Sequence, residues 1–263
     1  MLHRRSLYPH RIVSLEPSVT ATLIALGRQD RLIAVSKHDT RLLGEELLQD
    51  LPRVPCTWSV KPEDLLPLQP DLVIASVPMR EESVSALLRA GLNTLILQPK
   101  HLDSVYDNIR LLAALTDARE RGEQIVTEME NTFARLWEQS ADKPHYRVYM
   151  EVWPHPLMNG PAWHEDIIRL LGSEFVPAGP DRKLSEEEIF AADPEAIVVV
   201  WPGVDAPPLE KVYTRPGWER VTAIREKRVL HVPEIWLNAP GPNLAHGAEL
   251  LARALWGEET AAD

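Results

Sequence analysis

Short apolar runs alternate with helix-spaced stretches along the first hundred residues. Arg11–Leu15 reads as a strand, Pro17–Leu26 as a helix opened by proline and closed by Gly27, and Leu32–Ser36 as a second strand. A short helix at Pro62–Leu68, a strand at Asp71–Ser76, a helix at Glu81–Ala90 stopped by Gly91 and a strand at Asn93–Leu97 follow. From Leu102 to Ala141 there is no proline, and apolar residues recur at helical spacing: Val105, Ile109 and Leu112, then Ile125, Met129, Phe133 and Leu136. The break falls near Thr116. Asp117 with Glu120 three residues on is a capping-box-like start, so a first helix ends at about Leu115 and a second runs from Asp117 to about Ser140. At 1.5 Å per residue the second is roughly 36 Å long. After Lys143-Pro144 the alternation resumes: strand Arg147–Glu151, helices Trp163–Leu171 and Ser185–Ala191, strand Ala196–Val200, a helical stretch Pro216–Ile224, strand Val229–Val232 and a terminal helix Pro242–Leu255.

Strands that alternate with helices form parallel βαβ units, which bury both sheet faces and place ligands at the carboxyl ends of the strands. The expectation is an α/β fold of two lobes with mostly parallel sheets, 1–101 and 144–263, joined by the helices of 102–143, of which one is long and rigid. The lobes echo each other at one motif. Pro62-Glu63-Asp64-Leu65, ending at Pro70 before an apolar strand, matches Ser185-Glu186-Glu187-Glu188-Ile189, ending at Pro194 before another. Each is an acidic helix start, an apolar turn, a proline and a strand.

With 44% hydrophobic and 25% charged residues in 263, disorder, collagen and coiled coil are excluded. The net charge of −11, with no basic block, excludes a phosphate backbone or an anionic membrane surface as partner. The longest apolar run, Ala196–Trp201, is a buried strand and not a membrane span. Arg4 and Arg5 are followed by Ser6, Tyr8, Pro9, His10 and Arg11 and not by an apolar export core. As written the chain is therefore expected in the cytoplasm, and in the periplasm if an export signal precedes it. The single Cys56 reads as a buried structural thiol. Eight Trp against three Phe is the unusual feature.

Three segments in order carry a family resemblance: Arg11-Ile12-Val13-Ser14-Leu15-Glu16-Pro17-Ser18-Val19-Thr20 with Leu26-Gly27, then Leu68-Gln69-Pro70-Asp71-Leu72-Val73, then Asp193-Pro194-Glu195-Ala196-Ile197-Val198. Together they resemble the cobalamin and iron-siderophore substrate-binding proteins of ABC importers, closest to the cobalamin-binding members, over about residues 11–256. The resemblance implies two lobes bridged by a rigid helix with ligand in the cleft between them. It implies a corrinoid as bound ligand, no catalytic cofactor, a monomer, and docking on a permease through one surface glutamate per lobe, here Glu63 and Glu187. Acidic residues in a first helical turn also complement the helix dipole, which is the plain structural alternative for both.

A flat, partly apolar corrin ring calls for rigid aromatic walls and a few polar groups. Trp58, Trp153, Trp201 and Trp236 all stand at strand carboxyl ends or on loops there, and Trp163 opens a helix after Met158-Asn159-Gly160-Pro161-Ala162. Trp58 and Trp236 match, to within a residue, tryptophans that line the cleft of the cobalamin binders. The Asp and Arg that can flank the second Trp in those proteins are replaced here by Ile235 and Ala239, so polar contacts fall to Asn238, Asn243 or water. Trp137, Trp218 and Trp256 read as packing. His38, after the second strand and beside Asp39, is a candidate axial ligand or hydrogen-bond donor, and His155 a second.

Other readings stay open. An iron-siderophore or haem binder of the same fold needs basic groups or an axial His or Tyr, and Lys37, Arg80 and Lys100 are the basic candidates near strand ends. A resident metal would draw on His38, His155, Glu151 and Glu234, although no closely spaced ligand pair occurs, and none is expected. A cytoplasmic enzyme using the cleft, with His38 as acid/base, lacks any nucleophile elbow, phosphate loop, dinucleotide fingerprint or metal-hydrolase motif, so no catalytic residue is assigned.

Overall fold

In a computed structural model, which describes residues 8–257, the chain divides into two units: residues up to Glu128 with Ala239–Pro242, and Met129–Asn238 with the residues from Asn243 on. The division between Glu128 and Met129 falls inside the long helix.

In the first unit, β1 (Ile12–Ser14), β2 (Leu32–Ser36), β3 (Arg53–Val54), β4 (Leu72–Ser76) and β5 (Thr94–Leu97) form one parallel sheet in the order β3-β2-β1-β4-β5. Ile12, Val13, Val73, Ile74 and Ala75 are all fully buried, so both faces are covered and the strands read as continuous apolar runs. Leu65 and Leu87, from the helical segments Pro62–Leu65 and Glu81–Arg89, pack with Val13, Leu15 and Val73 in the core. The strand order reverses between β1 and β4, and the loops leaving the carboxyl ends there are where sheets of this kind place ligands. β3 escapes a periodicity reading because two residues carry no period.

The second unit holds β6 (Arg147–Pro154), β7 (Leu157–Asn159), β8 (Glu174–Phe175), β9 (Ala196–Val199) and β10 (Val229–His231) in the order β10-β9-β6-β7, with β8 also on β6. All pairings are parallel except the β6–β7 hairpin. β6 runs beyond the expected Glu151 because that hairpin extends its pairing through Trp153 and Pro154. The core gathers Tyr149, Ile189, Ile197, Val199, Trp201 and Trp218.

Two helical readings are corrected. The long helix is Arg119–Ser140, not Asp117–Ser140, because Asp117 sits at φ 58° between it and the helix Leu102–Leu115. The expected helix Pro216–Ile224 is a 3₁₀ turn, Trp218–Arg220, and a short helix, Thr222–Arg225. Asp193 accepts from both the Thr222 backbone N–H and its hydroxyl, each at 2.8 Å, which starts the second piece afresh at extended Val221.

The echoing motifs are built alike. Each short helix ends in a left-handed residue without being glycine, Gln69 (φ 48°) and Asp193 (φ 40°). An arginine from the adjoining strand start holds each turn. The Arg11 guanidinium donates to the carbonyls of Leu68 (2.6 Å) and Gln69 (3.0 Å), and that of Arg147 to those of Ala192 (3.3 Å) and Asp193 (2.9 Å). The Arg11 backbone N–H reaches Asp71, and that of Arg147 reaches Glu195. The orphan carbonyls at a helix end are thereby satisfied twice by the same device.

Candidate functional site

In the first unit, a hollow of about 600 Å³ opens beside the loops that follow β3 and β4 and is lined by Trp58, Val60, Lys61, Arg80, Glu82 and Ser83, among others. Trp58 is 49% exposed, a large cost for an indole with no partner of matching shape. The Arg80 guanidinium carbon lies 5.6 Å from its ring centroid, within cation–π range.

His38 is exposed on the loop after β2, with its backbone N–H on the Ser36 hydroxyl at 3.2 Å. Asp39 next to it is fully buried. Thr20 contacts its Oδ2, Thr20 and Ser14 hydroxyls lie 2.7 Å apart, and Ser14 donates to the Glu16 carbonyl at 3.1 Å. Burial raises the Asp39 carboxyl to about 7, against smaller lowering by Thr20, Ser36 and Arg53. Sequence reasoning passed over Asp39 because nothing local marks a loop aspartate as buried. Cys56 is half-buried, with its sulfur 3.9 Å from the Ser59 hydroxyl, and not the fully buried thiol expected.

The second unit sorts its tryptophans differently from the sequence reading. Trp153 is 45% exposed, its indole N–H on the His155 carbonyl at 3.0 Å. Trp236 is half-buried, edge-on to His246 with ring centroids 4.6 Å apart. Trp201 is 8% exposed, within the core, and donates to Glu151 at 2.9 Å. Trp163 is equally buried, and its indole and the His164 Nε2 both meet the Leu237 carbonyl at 2.9 Å. Trp163 and Trp201 therefore brace the unit, since their ring surfaces and N–H groups are already taken. Asn238 is similarly engaged: both amide protons go inward, to the Val200 carbonyl (2.9 Å) and Glu234 (3.1 Å), leaving only its carbonyl oxygen. Trp218 packs as expected, but Trp137 is 60% exposed, because the buried stripe of its helix continues through Leu136 and Ser140.

Gly247 fixes where Trp236 sits. A Cβ there would stand 2.3 Å from the Trp236 carbonyl oxygen. Gly247→Ala is expected to lower stability by about 1–3 kcal/mol by forcing the backbone at Trp236 to shift, read from the urea midpoint and from near-ultraviolet circular dichroism. An unchanged midpoint would show that the contact is not tight.

Glu63 and Glu187 occupy the same place, the second residue of their helices, and both are exposed. In each helix the third residue turns back to the cap, Asp64 accepting from the Lys61 N–H (2.8 Å) and Glu188 from the Ser185 N–H (2.9 Å). Glu186 accepts from the Trp218 indole at 2.8 Å. Glu187 has no hydrogen-bond or ion-pair partner among the described residues, and Glu63 has only Lys61 at 4.0 Å, with both of those side chains well exposed.

Among the described residues no cluster of three His, Cys, Asp or Glu could hold a metal, and no helix is long and apolar enough to cross a membrane. Glu151 is occupied by Arg215 and Trp201, and Glu234 by Gly203 and Asn238, so neither carboxylate is open to an ion. Arg4 and Arg5 lie outside the described residues.

The family model described as periplasmic binding protein matches residues 12–235. An ABC transporter substrate-binding lipoprotein of Bacillus subtilis (strain 168), YvrC, is 26% identical, over 94% of this chain and 80% of its own. The vitamin B12-binding protein of Photorhabdus laumondii is 25% identical, over 95% and 90%. Among solved structures, the periplasmic heme-binding protein RhuT from Roseiflexus sp. RS-1 superposes with a TM-score of 0.81 at 22% identity, covering 95% of this chain and 98% of that one. The periplasmic vitamin B12-binding protein BtuF of Vibrio cholerae gives 0.73 at 23% identity, over 94% and 96%.

Proposed function

The chain belongs to the periplasmic binding protein family of ABC importers, whose members bind small molecules for transport, and from that premise we propose that it is a receptor for a flat, ring-shaped ligand, a corrinoid first. The observation that carries this is Trp58, half exposed beside a hollow of about 600 Å³ at the carboxyl side of a parallel sheet. In the same unit, exposed His38 on the loop after β2 supplies an imidazole for a metal-centred ring. The vitamin B12-binding relatives favour the corrinoid, and the heme-binding structural neighbours make haem the second reading. A ferric siderophore is the third, with a hydroxamate transport component among the structures of like fold.

The delivery partner is an importer permease, met through Glu63 and Glu187. Their equal helix positions and their exposure support this, since a docking carboxylate must be unburied and presented. The reading is of a non-enzymatic monomer working on the outer side of the membrane, the periplasmic alternative of the sequence expectation.

Titration with cyanocobalamin, hydroxocobalamin, haem and a ferric siderophore, followed by tryptophan fluorescence, tests the ligand. Saturable quenching by a cobalamin, weakened about tenfold or more in Trp58→Ala, is the expected result. A band shift with hydroxocobalamin that disappears in His38→Ala would add axial ligation. Quenching by haem alone would replace the corrinoid, and no quenching by any probe would overturn the ring-ligand reading.

A further inference from the structure

We propose that His246 is a proton-operated clamp on Trp236: charging its imidazole pins the indole against the terminal helix, and neutralising it frees the ring. The clamp holds whichever ligand the chain takes, and all its parts lie in the second unit. The terminal helix, Leu244–Trp256, fixes the backbone at Trp236. The Asn243 amide donates to the Trp236 carbonyl at 3.3 Å, and a Cβ on Gly247 would stand 2.3 Å from that same oxygen. With the main chain held, the half-buried indole is the part left to move. His246 meets it edge-on, with ring centroids 4.6 Å apart and ring planes at 74°. On the same imidazole, Nδ1 lies 3.7 Å from the Glu249 Oε2, while the Glu249 Oε1 is paired with Arg135 of the long helix.

Imidazole is the side chain whose charge ordinarily changes between pH 5 and 8. While neutral, it gives the indole a contact between two aromatic rings. Once charged, it sets a cation against the indole, and its Nδ1–H faces a carboxylate already within ion-pair distance. Both gains exist in the charged form alone, so both oppose release of the ring. The other charged or titratable groups on the elements packed around it are Arg253 on its own helix, Arg135 on the long helix, Glu234 just before Ile235–Asn238, and His231 at the end of β10. Glu234 is taken by Gly203 and Asn238, and Arg135 takes one oxygen of Glu249, which leaves the second Glu249 oxygen as the anion for His246. His164 provides the contrast: it too is edge-on to a tryptophan, Trp163, at 5.9 Å, but burial lowers its pKa to about 4 and keeps it neutral over the range in which the clamp works. On the proposed outer side of the membrane the surroundings set the pH. The clamp then gives the second unit an ordered aromatic face in acid and a mobile one at neutral pH.

The experiment uses the full chain, labelled with nitrogen-15, between pH 8 and 5. Of the eight indole N–H signals, that of Trp236 is identified by its loss in Trp236→Phe. Its order parameter is expected to rise by about 0.2 in one step as the pH falls, while that of Trp163 stays constant. His246→Gln should abolish the rise. Glu249→Gln should move the midpoint about half a pH unit lower, because the cation loses its carboxylate, and Arg135→Gln should move it about as far upward, because Glu249 is released to the imidazole. The three side chains are partly exposed, so the fold is expected to survive each change, with the other indole signals in place. An order parameter that stays flat in the wild type, a rise that persists in His246→Gln, or a midpoint indifferent to both charge changes would overturn the clamp.

Discussion

Arg215→Ala is expected to lower the unfolding free energy by about 3–5 kcal/mol, enough to remove a large part of the stability of a domain of ordinary margin. Arg215 holds Glu151 with two bonds of 2.6 and 2.7 Å, and the Glu151 side chain is fully buried while that of Arg215 is 10% exposed. Glu151 also accepts from Trp201, and the guanidinium lies 4.5 Å from the centroid of Trp218, so one removal strands a carboxylate among two indoles. The cost comes from that stranded charge more than from the lost pair. Glu151→Met with Arg215→Met should therefore cost far less than the sum of the single changes. Urea denaturation of the three variants decides it, and additive losses would sink the account.

Two buried groups are expected to pull the pH dependence of stability in opposite directions. The first is His164, fully buried, with its Nδ1 unpartnered and its Nε2 on the Leu237 carbonyl. Burial lowers its pKa from 6.5 to about 4. Between those values the unfolded chain takes up a proton that the native state refuses, so stability is present above pH 6.5 and falls on acidification, by about 3 kcal/mol at pH 4.

Asp39 does the reverse. Its carboxyl rises from 3.8 to about 7, so the native state keeps a proton that the unfolded chain gives up, and stability grows by about 3 kcal/mol as pH falls from 7 to 4. Hydrogen counting supports the neutral acid independently. The contacts Glu16 carbonyl–Ser14, Ser14–Thr20 and Thr20–Asp39 are three, and the two hydroxyls supply only two protons. A protonated Asp39 supplies the third.

The two slopes nearly cancel between pH 4 and 6.5 in the wild type, and single substitutions should separate them. Asp39→Asn, whose amide also donates to Thr20, is expected to lose about 3 kcal/mol on going from pH 6.5 to 4. His164→Gln is expected to gain on the same change. Chemical denaturation across that range measures both, and variants that keep the wild-type profile would refute the assignments.

The order of the elements was legible because it rests on local spacing. Helix starts at Pro17 and Ser185 and stops at Gly27 and Gly91 are encoded within a few residues, and the two-unit α/β plan follows from their alternation. Where the reading slipped, a distant group intervened: Asp193 restarts a helix at Thr222, 29 residues away, and the β7 strand draws β6 past Glu151.

The tryptophans mark the limit most clearly. By itself the sequence determined that Trp201 follows a strand, that Glu63 and Glu187 open matching helices, and that the chain is an α/β fold of two units. Only the tertiary structure decided that Trp58 and Trp153 face solvent while Trp201 is sealed against Glu151, 50 residues earlier in the chain. It also decided that Arg80, 22 positions after Trp58, comes to lie on its ring. Helix and strand type answer to periods of 3.6 and 2 along the chain. Exposure and charge answer to whichever distant side chain fills the neighbouring space, and no local pattern encodes that.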